Sequence, residues 1–180
     1  MTDEARRRRI LFVCTANICR SPTAELLARA RFGEGQMMFR SAGFLREGSG
    51  VPSELISVLA DRHVDATAHR SYTLDTASVE AADLLLTMEA SHVQQATMLL
   101  PEAFNKIVPL KEAAAIVERQ PTPRISIEDF LEELNRDRDA LSYLGTNWDV
   151  DDPYGKRTKA YQRAVAEIEQ LVTATLGRLE

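Results

Sequence analysis

The sequence of 180 residues predicts a single α/β domain, in which helices flank a central four-stranded parallel sheet. Two observations predict this class. Short apolar runs of strand length alternate with segments whose apolar residues recur at helical spacing, as in βαβ units. The chain is also long enough for one hydrophobic core, and neither an internal repeat nor a low-complexity tract divides it. We therefore treat residues 1–180 as one domain.

The first half of the chain supplies two predicted strands and two predicted helices. Ser21 is a suitable N-cap, and Pro22 then takes the first helical position, where its missing N–H is not needed. In chain order we predict a solvated tail (1–8), a strand (10–13), a helix from Pro22 that stops at Gly33, a strand (37–41), a Gly-rich loop, and a short amphipathic helix (55–62).

The second half continues the alternation. Tyr161, Val165, Ile168, Val172 and Leu176 recur at helical spacing, so the last ~20 residues form an amphipathic helix. The other predicted elements are a strand centred on 84–86, a helix from about 90 to 100 that Pro101 closes, and a strand over 107–110.

One segment, residues 118–148, does not fit this alternation. Ser126 followed by Asp129 resembles a capping box, and the apolar residues after it lie on one helical face. We predict a helix at about 127–144, flanked by PTPR and by the acidic stretch WDVDDPYG.

Charge and hydropathy exclude several classes of partner. The formal net charge is −5 and the isoelectric point is near 5.3, so nucleic acid is not expected as a partner. No apolar stretch approaches the ~20 residues of a membrane span. The basic run Arg6–Arg9 is followed by too short an apolar run for an export signal. We expect a cytoplasmic protein, although export without a signal peptide stays open.

The loop from Cys14 to Arg20 joins the first predicted strand to the first predicted helix. Open α/β sheets bind ligands at such loops. The backbone N–H groups at a helix N-terminus converge there and favour an anion with tetrahedral oxygens. Arg20 adds a planar fork that binds two oxygens.

The same positive potential favours the thiolate form of Cys14. A thiolate beside a phosphate site indicates attack on phosphorus and a phosphocysteine intermediate. Arg20 and the loop amides would stabilise the transferring group, and the Ser21 hydroxyl could donate to the sulfur.

Cys14 and Cys19, the two cysteines of the chain, fit other roles poorly. They lie in one loop with no nearby histidine, which argues against a zinc site. Their spacing is not that of a C-x-x-C redox pair. We expect neither a metal nor a cofactor.

These residues resemble the low-molecular-weight protein tyrosine phosphatase family, whose signature is a Cys and an Arg separated by five residues, followed by Ser/Thr-Pro. The match runs from Cys14 to Pro22. Similar blocks follow in the family's order, and together they span most of the chain: SAG at 41–43, HRS at 69–71, DLLLTM at 83–88 and DPYG at 152–155.

The resemblance implies that Cys14 is the nucleophile, Arg20 the phosphate-binding arginine and Asp152 the general acid. A phenolate leaves badly unless it is protonated, so the chemistry also needs an acid. Asp149 and Asp151 are competing candidates; Asp152 is preferred because Pro153 follows it.

Other residues receive supporting roles from the resemblance. Asn17 holds the loop's shape with Ser41, His69 is structural, and Cys19 either packs or forms a disulfide with Cys14 that shelters the nucleophile. Phe44 and Tyr154 are candidate walls of the cleft. The residues expected to bind phosphate or support the loop are Thr15, Ala16, Asn17, Ile18, Cys19, Ser21 and Ser41.

Three departures from the family's pattern matter. Ala16 replaces the usual glycine, which would strain the backbone if that position needs a positive φ. Phe44-Leu45 lacks the aromatic and polar pattern common on that wall. The segment 118–148 is longer than usual; it could be a lid, a docking surface or a decorated loop, and we favour the last.

The expected activity is hydrolysis of protein phosphotyrosine, with phosphate as product and competitive inhibitor, by a monomer or weak dimer. By resemblance, phosphoarginine phosphatases of this fold carry threonine at the position of Ile18, so Ile18 favours an aryl phosphate as substrate. Arsenate reductases of this fold need further cysteines. A non-catalytic phosphate-reading module would need neither the thiol of Cys14 nor the acid Asp152.

Overall fold

The computed structural model describes residues 7–180 apart from positions 46, 140, 141 and 144. A four-stranded parallel sheet with flanking helices forms its centre, which confirms the predicted fold class. The strands are β1 (Arg8–Cys14), β2 (Met37–Gly43), β3 (Leu84–Thr87) and β4 (Ile107–Pro109). They lie side by side in the order β2-β1-β3-β4, and every pairing is parallel.

Helices cover both faces of the sheet. Successive residues of β1 point to opposite faces, so Phe12 joins one core cluster and Leu11 the other. Both faces of the strand are therefore buried, as in other parallel sheets. The α-helices of the described residues are α1 (Arg20–Phe32), α2 (Ser53–Ala60), α3 (Thr76–Ala81), α4 (Ala90–Leu99), α5 (Leu110–Arg119), α6 (Ile127–Asn135) and α7 (Thr158–Leu176).

The strand order explains where a ligand would bind. The chain leaves β1 through α1 towards β2 on one side, whereas β3 pairs with β1 on the other side. This reversal creates a crevice at the carboxyl ends of β1 and β3. Cys14 is the last residue of β1 and so lies at this crevice. No helix in the described part of the chain is long and apolar enough to cross a membrane.

The first strand and helix start earlier than predicted. β1 begins at Arg8, which pairs with Met37, so the predicted tail is too long by at least this residue. The predicted N-cap at Ser21 is wrong, because α1 begins at Arg20 and Cys19 is its cap. The Ser21 hydroxyl instead contacts the sulfur of Cys14. The predicted end at Gly33 is confirmed: φ there is 66°, which favours glycine.

The strand predicted over 107–110 ends at Pro109, and Leu110 opens helix α5, which the sequence reasoning missed. A 3-10 helix (Pro101–Lys106) and the six-residue α3 were also missed. The helix from Ala90 and the final helix were predicted correctly to within a few residues.

The start of α6 is as predicted: the Ser126 hydroxyl accepts a hydrogen bond from the Asp129 N–H at 3.1 Å. Its predicted continuation to 144 is wrong at 136–139, which are not helical. The Arg138 side chain donates to the carbonyls of Phe104 and Ile107, and this holds the chain away from a helical path. Leu141 and Leu144, which the prediction included, fall on positions 141 and 144 outside the described residues.

Candidate active site

A cavity of about 360 Å³ opens at the carboxyl end of β1. The loop 15–19 forms its floor, together with the residues at either end of that loop. Cys14, Arg20 and Asp152, predicted as nucleophile, phosphate ligand and acid, all line it. Residues distant in sequence therefore meet at one site.

Two polar groups approach the sulfur of Cys14, and one of them, the Asn17 N–H, is a donor to it. The Ser21 Oγ lies 3.0 Å from Sγ, and the backbone N–H of Asn17 donates to Sγ at 3.3 Å. Cys14 is almost fully buried, although it lines the cavity. The sulfur is therefore held at the cavity by polar contacts to the loop and to the first turn of α1.

Asn17 holds the loop in shape. Its amide Nδ2 donates to the hydroxyls of Ser21 at 2.9 Å and Ser41 at 2.8 Å, and its Oδ1 accepts from the Tyr72 N–H at 2.9 Å. The ring nitrogen Nε2 of His69 lies 2.8 Å from its carbonyl oxygen. Both contacts implied by the resemblance, to Ser41 and to His69 near the loop, are thus present.

The strain expected at Ala16 does not arise. In the described residues, the non-glycine residues with positive φ are Asn17 (53°) and His63 (59°). Asparagine tolerates this conformation better than most residues. Gly43, at the end of β2, lets the loop pack closely, because a Cβ there would lie 2.7 Å from the Asn17 backbone nitrogen.

Arg20 is 2% exposed and has four partners. Its Nη1 donates to Glu89 Oε1, and the same Nη1 donates to the Val150 carbonyl oxygen at a distance of 3.0 Å. Its Nη2 donates to Thr15 Oγ1 at 3.2 Å and to Asp152 Oδ2 at 2.9 Å. Its buried Nε has no hydrogen-bond partner among the described residues, so this donor is available to an anion in the cavity.

Glu89 and His92 stand behind Arg20. Burial raises the pKa of Glu89, but opposing interactions, the hydrogen bond and charge of Arg20 among them, bring the pKa below its usual value. Burial lowers the pKa of His92 to about 4, which keeps its ring neutral at pH 7. His92 Nε2 lies 3.0 Å from Thr15 Oγ1. Sequence reasoning missed both residues, although they follow β3 at the i, i+3 spacing.

The structure separates the three candidate acids. Asp149 accepts a hydrogen bond from the Ala90 N–H at 2.8 Å, at the start of α4. Asp151 is exposed and does not line the cavity that holds Cys14. Asp152 lines it, accepts from Arg20, and accepts from the Tyr154 N–H at 3.0 Å through Oδ1. Its position in the cavity therefore favours Asp152 over Asp149 and Asp151 as the candidate general acid.

The cavity walls differ in part from the prediction. Tyr154 and Ile18 line the cavity, with Tyr154 61% exposed at its mouth. Phe44 does not line it; its ring packs against that of His92, 5.5 Å between centroids. The next residue, Leu45, takes the wall position instead, because successive side chains point in different directions.

Cys19 lines the same cavity as Cys14, and both thiols are free. Burial, followed by the negative charge of Asp152, raises the pKa of Cys19 to about 12. Cys19 is therefore a protonated thiol at neutral pH and a poor nucleophile. The sheltering disulfide and the packed thiol both stay open as roles of Cys19.

Residues 9–133 match the sequence profile of the family described as low molecular weight phosphotyrosine protein phosphatase. Among curated relatives, a protein-arginine-phosphatase of Geobacillus stearothermophilus is 28% identical over 96% of both chains. A probable low molecular weight protein-tyrosine-phosphatase, EpsP of Ralstonia solanacearum, is 28% identical over 94% of both.

Solved structures agree in fold. The YwlE arginine phosphatase from Geobacillus stearothermophilus has a TM-score of 0.72 at 29% identity, over 94% of this chain and 90% of that one. A low molecular weight protein tyrosine phosphatase from T. tengcongensis has the same TM-score and identity, over 94% and 97%. These similarities do not separate tyrosine from arginine as the phosphorylated residue.

Proposed function

Because the chain belongs to the low molecular weight phosphotyrosine protein phosphatase family, we propose that it hydrolyses protein phosphotyrosine through a phosphocysteine on Cys14. That it is a phosphatase follows from the family and its structural relatives. The phosphocysteine mechanism is supported by one observation above all: Cys14, Arg20 and Asp152 line the same cavity.

In the first step the substrate phosphate rests on the loop N–H groups and the Arg20 guanidinium. The Cys14 thiolate attacks phosphorus, an S–P bond forms, and the P–O bond to the tyrosyl oxygen breaks. The Asn17 N–H donates to the attacking sulfur, and the Ser21 Oγ lies 3.0 Å from it. The loop amides and Arg20 are fixed donors for the charge that develops on the phosphoryl oxygens.

Asp152 is the proposed proton donor to the leaving phenolate. It lines the cavity beside Arg20 and is partly exposed, so it can exchange protons with solvent. In the second step its carboxylate accepts a proton from the attacking water. The S–P bond then breaks, and inorganic phosphate and the Cys14 thiolate are the products. Phosphate should therefore compete with substrate.

An aromatic ester suits this cavity better than a guanidino group. Ile18, Leu45 and Tyr154 present mostly apolar surface at the cavity. Asp152 is the one carboxylate among its described lining residues. A phenyl ring would pack on the apolar walls, whereas the guanidinium part of a phosphoarginine would be stabilised by acidic neighbours.

Phosphoarginine is the second candidate, because relatives of both kinds are equally similar to this chain. An arsenate reductase is less suited, since the two cysteines of the chain both line this one cavity. A non-catalytic reader of phosphate is disfavoured because the family is one of phosphatases.

The test compares kcat/KM for phosphotyrosine and phosphoarginine in peptides of otherwise identical sequence. We expect the phosphotyrosine peptide to be preferred by at least about ten-fold, and Ile18→Thr to reduce that preference. Cys14→Ser should abolish both activities. A preference for phosphoarginine in the unaltered protein would reassign the substrate, and activity that survives Cys14→Ser would exclude the phosphocysteine.

A further inference from the structure

A second cavity, of about 480 Å³, lies along the edge strand β2. It is larger than the catalytic cavity and shares no lining residue with it. Leu11, Met38 and Ala82 give it an apolar lining from β1, β2 and the end of α3. Its volume is in the range of small-molecule sites.

Three arginines, Arg9, Arg40 and Arg70, also line this cavity. In the described part of the chain the Arg9 side chain has no ion pair. The Arg70 guanidinium donates to the carbonyls of Thr67 and His69 and meets no carboxylate of a residue that the structure describes. The Arg40 guanidinium is 3.7 Å from Glu34. Of the three guanidinium groups, those of Arg9 and Arg70 therefore have no carboxylate partner among the described residues, whereas that of Arg40 pairs with Glu34.

The one carboxylate in the described lining does not neutralise the arginines. Glu25 is buried and accepts a hydrogen bond from Ser41 Oγ. Its other oxygen is 2.8 Å from the guanidinium of Arg29, which does not line the cavity. The cavity lining therefore combines apolar side chains with three arginines and one carboxylate that is already paired.

We propose that this cavity binds a small organic anion with an apolar body, such as an aromatic or aliphatic carboxylate, sulfonate or phosphate, and that its binding alters turnover. The apolar part packs on Leu11, Met38 and Ala82, and the charged group binds the arginine forks. The site itself does not depend on the proposed chemistry of the catalytic cavity.

The route from this cavity to the catalytic loop is short. Ser41, His69 and Tyr72 line the cavity, and each makes a hydrogen bond to Asn17. Asn17 in turn donates its N–H to the sulfur of Cys14. A ligand that orders or displaces these three residues therefore changes the support of Asn17, and with it the loop that holds phosphate.

The test uses anilinonaphthalene sulfonate, a fluorescent anion with an apolar body, and measures binding by fluorescence titration and calorimetry. Arg9→Ala should weaken binding by about ten-fold by removing a charge-assisted contact. Ala81→Trp, at an exposed lining position, should block the cavity. Arg124→Ala is the matched control, because Arg124 is an exposed arginine that does not line the cavity.

The second readout is turnover of an aryl phosphate. The probe should change kcat or KM of the unaltered protein and of Arg124→Ala, but not of Ala81→Trp, while the basal turnover of all three stays the same. Binding that both cavity variants leave unchanged would place the probe outside this cavity and overturn the proposal. Binding in the second cavity without any effect on turnover would overturn the link to Asn17. Because binding is measured without substrate, a failure here is distinguishable from a failure of the proposed phosphatase chemistry.

Discussion

Asp152 Oδ2 accepts a hydrogen bond from Arg20 Nη2 at 2.9 Å, so the proposed acid and the proposed phosphate ligand form an ion pair. A phosphate dianion that enters the cavity must compete with Asp152 for this guanidinium. The buried, unpartnered Nε of Arg20 offers it a first contact. Substrate binding should therefore separate the pair and free Asp152 to act on the leaving oxygen.

Replacing Asp152 by alanine should have opposite effects on catalysis and on phosphate binding. Turnover of a phenyl phosphate should fall by about a hundred-fold or more, because the leaving group loses its proton donor. Inorganic phosphate should bind more tightly, because its competitor for Arg20 is gone. Kinetics with phosphate as inhibitor measure both. Asp151→Ala is the control, since Asp151 lies outside the cavity; a large loss in that variant instead would move the acid to Asp151.

Gly43→Ala should impair activity although the position is not itself in the cavity lining. The new Cβ would lie 2.7 Å from the Asn17 nitrogen and 2.9 Å from the Ala16 carbonyl carbon, so the phosphate loop must shift. We expect kcat/KM to fall by about ten-fold or more, since small misplacements of catalytic groups are costly. Gly50→Ala is the matched control, because its nearest contact would be 3.8 Å away, at Arg70. Equal activity of the two variants would contradict this role.

Ser21→Ala removes the hydroxyl 3.0 Å from the Cys14 sulfur. The sulfur then becomes a poorer leaving group in the second step, and we expect kcat to fall by roughly ten-fold, the value of one charge-assisted hydrogen bond. Rapid-mixing kinetics should show a burst of phenol followed by slow turnover. A fall in the burst rate alone, with unchanged later turnover, would place the effect in the first step.

Folding stability should decrease in mild acid because of His92. Its pKa is about 4 in the folded protein against an ordinary value of 6.5, so the unfolded chain takes up this proton first as the pH falls. Stability is therefore lost between about pH 6.5 and pH 4, by on the order of 3 kcal/mol from this group. Denaturant unfolding at several pH values measures the slope. His92→Asn should have a shallower slope over this interval, and an unchanged slope would contradict the assignment.

The sequence was informative where local chemistry decides structure. Apolar runs placed all four strands, and Gly33 and Ser126 marked helix boundaries correctly. The prediction of Ser21 as an N-cap failed because its hydroxyl contacts the Cys14 sulfur and the Asn17 amide, and these contacts exist only in the folded loop. Helix α5 was missed because its buried residues include small alanines, which carry a weak apolar signal.

Long-range contacts set the remainder of the site. The sequence could align Cys14 and Arg20, which share one loop, but it could not show that Glu89 and Val150 hold the guanidinium from two other segments. The sequence could not decide by position which of the acidic residues at 149–152 is the general acid. In the structure, Asp149 accepts a hydrogen bond from the N–H at the start of α4 instead. The sequence also could not tell which of Phe44 and Leu45 faces the cleft, because that depends on the direction of the chain beyond β2.

The most direct measurement is to trap the intermediate. The unaltered protein and Asp152→Ala would each be mixed with an aryl phosphate that has a good leaving group, quenched in acid, digested and examined by mass spectrometry. We predict one added phosphoryl group on the peptide that contains Cys14, and none on Cys14→Ser at the same position. Rapid release of phenol with no phosphorylated Cys14 peptide at any quench time would contradict the proposed mechanism.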